Sequence, residues 1–152
     1  KPFPRDYANE VLTPILLSKS HIDRVLAKDL YRVCVKDLQN RTAMEPTPPI
    51  DWRRETPRTK DYKHLWQILY PFLSSPTQQV FDYVKNESYR SEMERAIRST
   101  EVDLRMDTIR KGRPYTLRLI KTQASFERAL KEWEEDVALL KQLRGGGSYG
   151  LQ

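Results

Sequence analysis

The pattern of apolar and polar positions is most regular between Ser20 and Arg41. Ser20 is a favoured N-cap residue, and Asp23 follows three residues later, which is close to a capping box. The apolar positions fall on one face of a 3.6-residue helix and comprise Ile22, Leu26, Leu30, Val33 and Leu38, with Val25 and Cys34 beside them. The pattern therefore predicts an amphipathic helix from Ser20 to Arg41.

Helical spacing returns at Thr59, after an interval rich in proline. Pro71 is expected to stop or kink this second helix, whose apolar side is formed by Tyr62, Leu65, Trp66 and Leu69. Serine at the cap followed by proline is a favoured way to begin a helix, so Ser75 and Pro76 predict a further short helix. Its apolar edge comprises Val80, Phe81 and Val84.

A longer helix is predicted from Ser88 to Lys111, where Gly112 and then Pro114 end it. Its apolar positions are Met93, Ile97, Val102, Leu104, Met106 and Ile109. The next run, residues 115–120, alternates apolar and polar side chains as a strand does. The run is short, and an extension of the preceding helix fits it equally well.

The last periodic segment, residues 122–144, has the cleanest spacing. Its seam follows steps of 4-3-4-3-4 through Phe126, Leu130, Trp133, Val137, Leu140 and Arg144. Because barely three heptads are present, packing on its own domain or on a large complex is favoured over a free coiled coil.

Prolines and glycines separate the remaining segments. Residues 1–19 predict an extended N-terminal arm, and residues 42–59 predict an extended proline-rich loop within a helical region that spans 20–121. The C-terminal amphipathic helix, 122–144, is followed by a flexible tail at 145–152. Strand signals are nearly absent, so an all-α fold is predicted.

Composition indicates one domain with a modest core, since the 152 residues are 38% apolar. Charged residues make up 32% of the chain, and the net charge of +6 favours an anionic partner: nucleic acid, an acidic protein or an anionic lipid surface. No apolar run approaches the roughly 20 residues that cross a bilayer. The first 17 residues lack a secretory signal pattern, and we expect that any organelle-targeting peptide was removed or never present.

The residues that usually carry chemistry are scarce. Cys34 is the only cysteine, and His21 and His64 are the only histidines, so neither a thiolate zinc site nor a recognisable metal motif is expected. No nucleophile elbow or glycine-rich phosphate loop occurs. We therefore predict a protein without catalytic residues, without a metal and without a directly bound cofactor.

Four cations recur at every fourth position of the first predicted helix: Arg24, Lys28, Arg32 and Lys36. Like charges at this spacing repel by a few tenths of a kcal/mol, so local helix stability does not require them. One interpretation is that an acidic surface lies opposite. The other is a solvated face that Asp23, Asp29 and Asp37 partly neutralise.

Three segments together resemble the LYR-motif proteins of mitochondria, which are small basic three-helix bundles. They are Asp29-Leu30-Tyr31-Arg32 with Lys36 beyond it, Tyr83-Val84-Lys85-Asn86, and Val102-Asp103-Leu104 with Asp107-Thr108-Ile109-Arg110. Residues 83–86 resemble the turn at the end of the family's second helix. Residues 102–110 are similar to the third helix of the LYR accessory subunit on the hydrophilic arm of respiratory complex I.

The resemblance implies a three-helix LYR-type bundle with an extra C-terminal helix, and a partner that is the acidic mitochondrial acyl carrier protein. The carrier would insert the acyl chain of its phosphopantetheine arm into the bundle. The resemblance assigns carrier binding to Arg24, Lys28, Leu30, Tyr31, Arg32 and Lys36. It assigns the acyl channel to Leu26, Val33, Phe81, Tyr83, Ile97 and Leu104. Loop 42–59, the segment before Pro71 and the last helix have no counterpart and are expected to dock other subunits.

These implications lead to the hypothesis of a non-catalytic accessory subunit of a complex I-like assembly, on the matrix side of the inner mitochondrial membrane. An RNA-binding component of the mitochondrial ribosome is an alternative. It would use Arg53, Arg54, Arg58 and Lys60 near Trp52 and Trp66. An LYR-type assembly factor for an iron-sulfur enzyme is another, with a role in delivery because one cysteine cannot hold a cluster.

Overall fold

The computed structural model describes residues 24–145 together with Asp6 and Asn9, and the side chains of all of these except residues 24 and 25. In chain order the elements are α1 (Arg24–Thr42), α2 (Lys63–Ser74), β1 (Val80–Val84), α3 (Glu87–Arg98), β2 (Leu104–Ile109), β3 (Thr116–Lys121) and α4 (Ala124–Gly145). The chain divides into two compact units. Unit 1 comprises residues 1–46 and 128–152, and unit 2 comprises residues 47–127.

The fold is mixed α/β, and the prediction of an all-α fold is wrong. Within residues 24–145, four helices accompany a three-stranded antiparallel sheet. The three-helix LYR-type bundle is therefore not the architecture of this chain. Two of the three segments that resembled the family lie in strands or at a helix start, since Tyr83 belongs to β1, Asn86 caps α3 and residues 104–109 form β2.

The sheet has the strand order β1-β3-β2, and β3 pairs antiparallel with both neighbours. Strands β1 and β2 therefore run in the same direction on either side of β3, and α3 connects them. Arg118 at the centre of β3 lies opposite Asp82 of β1 and Asp107 of β2. This register places one row of alternating charge across the sheet.

Alternation along β3 determines which face of the sheet is buried. Leu117, Leu119 and Lys121 are buried, whereas the residues between them are only half-buried. The buried face packs against the side chains of α2 and α3 to form the core of unit 2. That core comprises Leu65, Trp66, Leu69, Phe72, Leu73, Tyr83, Met93, Ala96, Ile97, Leu117 and Leu119.

One short predicted helix, and the last part of a longer one, are strands in the structure. Val80–Val84 pairs with Ile120–Thr116, and Leu104–Ile109 pairs with Lys121–Thr116. Helix α3 ends at Arg98, well before the predicted end at Lys111. The prediction failed because short apolar spacings fit either period, and the pairing partner that selects the strand lies far away in the sequence.

The segment around Pro71 also differs from the prediction. Helix α2 continues through Pro71 to Ser74, although proline cannot donate the backbone hydrogen bond and costs about 3 kcal/mol inside a helix. Phe72 and Leu73, which follow the proline, are fully buried in the core. Their burial offsets the local cost. Ser75 then caps a turn, where its hydroxyl accepts hydrogen bonds from Thr77 N and Gln78 N, and no helix begins there.

Unit 1 contains α1 and nearly all of α4, which form an antiparallel pair. Tyr31 lies near Leu143, whereas ten residues further along α1 Arg41 contacts Asp136. The core between these helices comprises Tyr31, Cys34, Leu38, Leu140 and Leu143. Both helices agree with the periodic segments found in the sequence, although residues 20–23 lie outside the described residues.

A buried polar network also joins the two helices of unit 1. The guanidinium of Arg41 lies 2.8 Å from Asp37 and 3.0 Å from Asp136. Asn9 completes the network by donating to Asp136 and accepting from Arg41. The side chains of Arg41, Asp37 and Asp136 are each no more than 7% exposed. These charges satisfy one another away from water.

Candidate interaction surfaces

The exposed face of α1 carries a row of cations. Lys28, Arg32 and Lys36 are exposed and stand one turn apart, and we call these three residues the α1 cation row. The opposite face of the helix contributes Ala27, Tyr31, Cys34 and Leu38 to the interior. Arg24 begins the helix, but its side chain lies outside the described part of the structure. The helix therefore presents three charged ends to solvent along one line.

No residue of the α1 cation row forms an ion pair within the described part of the chain. The acids expected to neutralise it behave differently from one another. Asp37 is buried and bound to Arg41, so it is not available to the row. Asp29 is exposed and forms no ion pair with a described residue, and Asp23 lies outside the described range. Among the described residues, the row is consequently a cationic surface without an ion-pair partner.

The two non-basic residues assigned to carrier binding occupy the other side of α1. Tyr31 is only 7% exposed, and its hydroxyl lies 3.5 Å from the carbonyl oxygen of Leu143. Leu30 is half-buried against the core of unit 1. A partner that docks on the cation row therefore meets the charged groups and not the tyrosine ring.

The six residues assigned to an acyl channel are divided between the two units. Leu26 is 53% exposed and Val33 is half-buried, and both belong to α1 of unit 1. The remaining four lie together in or against the core of unit 2: Phe81, Tyr83, Ile97 and Leu104. Burial, with smaller contributions from Glu92 and Tyr89, raises the pKa of the Tyr83 hydroxyl above its usual value. The structure shows these four as packed core residues.

Among the residues suggested for RNA binding, Arg54 and Trp52 make internal contacts and Trp66 is buried. The guanidinium of Arg54 donates to the Thr122 carbonyl oxygen at 2.7 Å and lies 5.3 Å from the centre of the Trp52 ring. Trp66 is 4% exposed, so its ring cannot stack on a base. Its indole N–H has no hydrogen-bond partner among the described residues. Arg53, Arg58 and Lys60 remain exposed.

A further cationic surface was missed by the sequence analysis. The loop between β2 and β3 contains Arg110, Lys111 and Arg113, and turns at Gly112, whose φ is 75°. Beside it lies a cavity of about 350 Å³, which we call the hairpin pocket. Its lining residues are Asn86, Glu87, Arg90, Arg113, Pro114 and Tyr115. Because the sequence predicted one continuous helix up to Lys111, this juxtaposition with the start of α3 was not foreseen.

The hairpin pocket is held by contacts around Arg90. The Nε of Arg90 donates to the Lys85 carbonyl oxygen at 2.9 Å, and the Cζ of Arg90 lies 5.3 Å from the centre of the Tyr115 ring. Asn86 caps α3 by accepting a hydrogen bond from Tyr89 N at 3.2 Å. These contacts orient the Arg90 guanidinium at the wall of the cavity.

Metal-binding side chains do not come together in the described residues, where no group of three or more histidine, cysteine or acidic side chains is placed to hold an ion. No helix in this part of the chain has both the length and the apolar character needed to cross a membrane. No protein-family model matches the chain, and neither curated proteins nor solved structures show significant similarity to it.

Proposed function

We propose that this chain is a non-enzymatic interaction subunit that binds an acidic protein through the α1 cation row. The observation that carries the proposal is the exposure of Lys28, Arg32 and Lys36 in one line without an ion pair in the described residues. A row of like charges gives α1 no local benefit. Complementary charge on a partner would remove the repulsion, accelerate association and fix the orientation of docking.

The partner that the LYR resemblance implies is the acidic acyl carrier protein of mitochondria, within a large assembly on the matrix side of the inner membrane. In support, the Leu30-Tyr31-Arg32 triplet lies in a helix, and the cations at 32 and 36 are exposed as a carrier-binding surface requires. The proposal concerns the carrier's protein surface alone. It assigns no channel for the acyl chain, because the residues expected to form one lie in two separate units.

The test compares two triple charge reversals that change the net charge equally. One carries Lys28→Glu, Arg32→Glu and Lys36→Glu, and the control carries Arg128→Glu, Lys131→Glu and Lys141→Glu at exposed positions of α4. Binding of purified acylated carrier protein to the full chain is measured by biolayer interferometry at low and at physiological salt. Circular dichroism verifies that both variants retain their helices.

We expect the α1 reversal to weaken carrier binding more than about tenfold, mainly through slower association, and to remove most of its salt dependence. The α4 control should bind within a few-fold of the natural chain. Equal losses in both variants would show that only net charge matters. An absence of carrier binding by the natural chain at low salt would overturn the choice of partner. The iron-sulfur assembly role stays a prediction that depends on the resemblance alone.

A further inference from the structure

We propose that the hairpin pocket binds a nucleotide unit, with its phosphate on Arg90 and Arg113 and its base against Tyr115. The unit is either a free nucleotide or one residue of a single-stranded RNA, which share this chemistry. The inference uses residues of unit 2 only and does not depend on carrier binding by α1.

Two arginines from different elements line the pocket. Arg90 belongs to α3, and Arg113 belongs to the loop after β2. Arg113 is exposed and forms no ion pair with the described residues, so its donors are available. Arg90 uses Nε for the Lys85 carbonyl oxygen, and its two terminal nitrogens donate to no described residue, so they can bind an anion. A planar guanidinium matches the geometry of phosphate oxygens and binds them with two parallel hydrogen bonds.

The pocket also contains a flat aromatic surface. Tyr115 is half-buried, and the guanidinium of Arg90 lies over its ring, with Cζ 5.3 Å from the ring centre. Bases stack on tyrosine rings and on arginine planes, without requiring a particular base sequence. The cavity volume of about 350 Å³ lies at the lower end of the range for small-ligand sites, roughly 300 to 1,000 Å³. Stacking and phosphate binding are therefore available within one small site.

Charge around the pocket favours an anion, with one opposing group. The lining carries two arginines against the single carboxylate of Glu87, and the neighbouring loop adds Arg110 and Lys111. Glu87 lies in the first turn of α3, where a carboxylate interacts favourably with the helix dipole. It would repel a bound phosphate. Removing its charge should strengthen binding, an effect that a misfolded variant could not produce.

The experiment uses the full chain with two ligands, a fluorescein-labelled oligouridylate and unlabelled uridine monophosphate. Anisotropy and calorimetry measure the two affinities for the natural chain and for Arg113→Gln, Glu87→Gln and Tyr115→Leu. Arg95→Gln is the matched control, because Arg95 is exposed on the same helix but does not line the pocket.

We expect Arg113→Gln to weaken oligouridylate binding about tenfold and to reduce the slope of log affinity against log salt by about 0.7, as the loss of one phosphate contact predicts. Glu87→Gln should strengthen binding. Tyr115→Leu should weaken it about fivefold or more, the effect of losing one stacked base. Arg95→Gln should leave the affinity within about twofold.

The two ligands distinguish the sources of the nucleotide. If uridine monophosphate binds with the same dependence on Arg113 and Tyr115, the pocket accepts free nucleotides. If only the oligouridylate binds, the site serves RNA. The inference is overturned if neither ligand binds, or if Arg95→Gln weakens binding as much as Arg113→Gln does.

Discussion

Lys121 is the residue whose role depends most on its surroundings. It is 3% exposed, and its ammonium donates to the carbonyl oxygens of Phe72 at 2.6 Å and Ser75 at 2.9 Å. The same nitrogen lies 4.6 Å from the centre of the Phe72 ring. Burial, followed by the nearby charge of Arg54, lowers the pKa of Lys121 below the usual 10.5. The Lys121 ammonium thus caps carbonyl groups at the C-terminal end of α2.

The lowered pKa of Lys121 predicts a specific pH dependence of stability. Between its folded-state pKa and 10.5 the unfolded chain binds more protons, so the contribution of Lys121 to the free energy of unfolding rises with pH in this window. Near neutral pH the group is charged in both states and contributes no slope. Lys121→Met should lack the rise. The raised pKa of Tyr83 has the opposite effect but is present in both proteins.

The measurement is urea denaturation of the natural chain and of Lys121→Met from pH 7 to pH 10.5. The difference between their free energies of unfolding should be constant near pH 7 and should shift in favour of the natural chain as the pH approaches 10.5. A difference that does not vary with pH would contradict the assignment of a lowered pKa to Lys121.

Arg41 provides another prediction at the residue scale. Replacing it with methionine leaves Asp37 and Asp136 buried without their shared cation. Loss of one partner from a buried ion pair typically costs about 3–5 kcal/mol. The control is Arg32→Met on the exposed face of the same helix, which should change stability by no more than about 0.5 kcal/mol. Guanidinium denaturation measures both, and similar values for the two variants would show that the network contributes little.

At the scale of elements, the turn between β2 and β3 forms the hairpin that carries the basic loop. Gly112 has a φ of 75°, and an added Cβ at this position would meet no atom within 4 Å. The cost of Gly112→Ala is therefore purely conformational and should be about 1 kcal/mol. Gly112→Asn should cost less, because asparagine tolerates the left-handed region.

Gly145, the last residue of α4, supplies a control of opposite sign. It does not have a positive φ, and an alanine side chain there also meets open space. Gly145→Ala should be neutral or stabilise the fold by up to about 1 kcal/mol, since alanine favours the helix. Thermal denaturation compares the two substitutions. Stabilisation by Gly112→Ala would contradict the turn described for residue 112.

The elements differ in how well their own residues predict them. Helices α1 and α4 follow from apolar spacing within each segment, because contacts across one helical turn are local. Strands β1 and β2 do not, since Val80 pairs with Ile120 and Leu104 pairs with Lys121. Residues 115–120 showed the alternation of a strand, but only the pairing on both sides decided between strand and helix.

At the scale of the whole molecule, unit 1 is built from segments at both ends of the chain, and unit 2 lies between them in the sequence. The two cationic surfaces belong to different units, with the α1 cation row in unit 1 and the hairpin pocket in unit 2. The net charge of +6 therefore has at least two local sources, each with its own candidate partner. Variants in which the charge of the α1 cation row is reversed, or the arginines of the hairpin pocket are neutralised, would test the two proposed binding sites separately.

The sequence by itself determined the helical character of α1 and α4, the lack of helix and strand at residues 43–59 and the spacing of the cation row. These depend on interactions between residues a few positions apart. Tertiary structure decided the sheet, the burial of Lys121 and Asp136, and the meeting of Arg90 with Tyr115. Each of these needs a partner that is distant along the chain. Such partners come together only when the free energy gained by burying the apolar surface of the whole unit exceeds the conformational entropy lost in closing the chain between them.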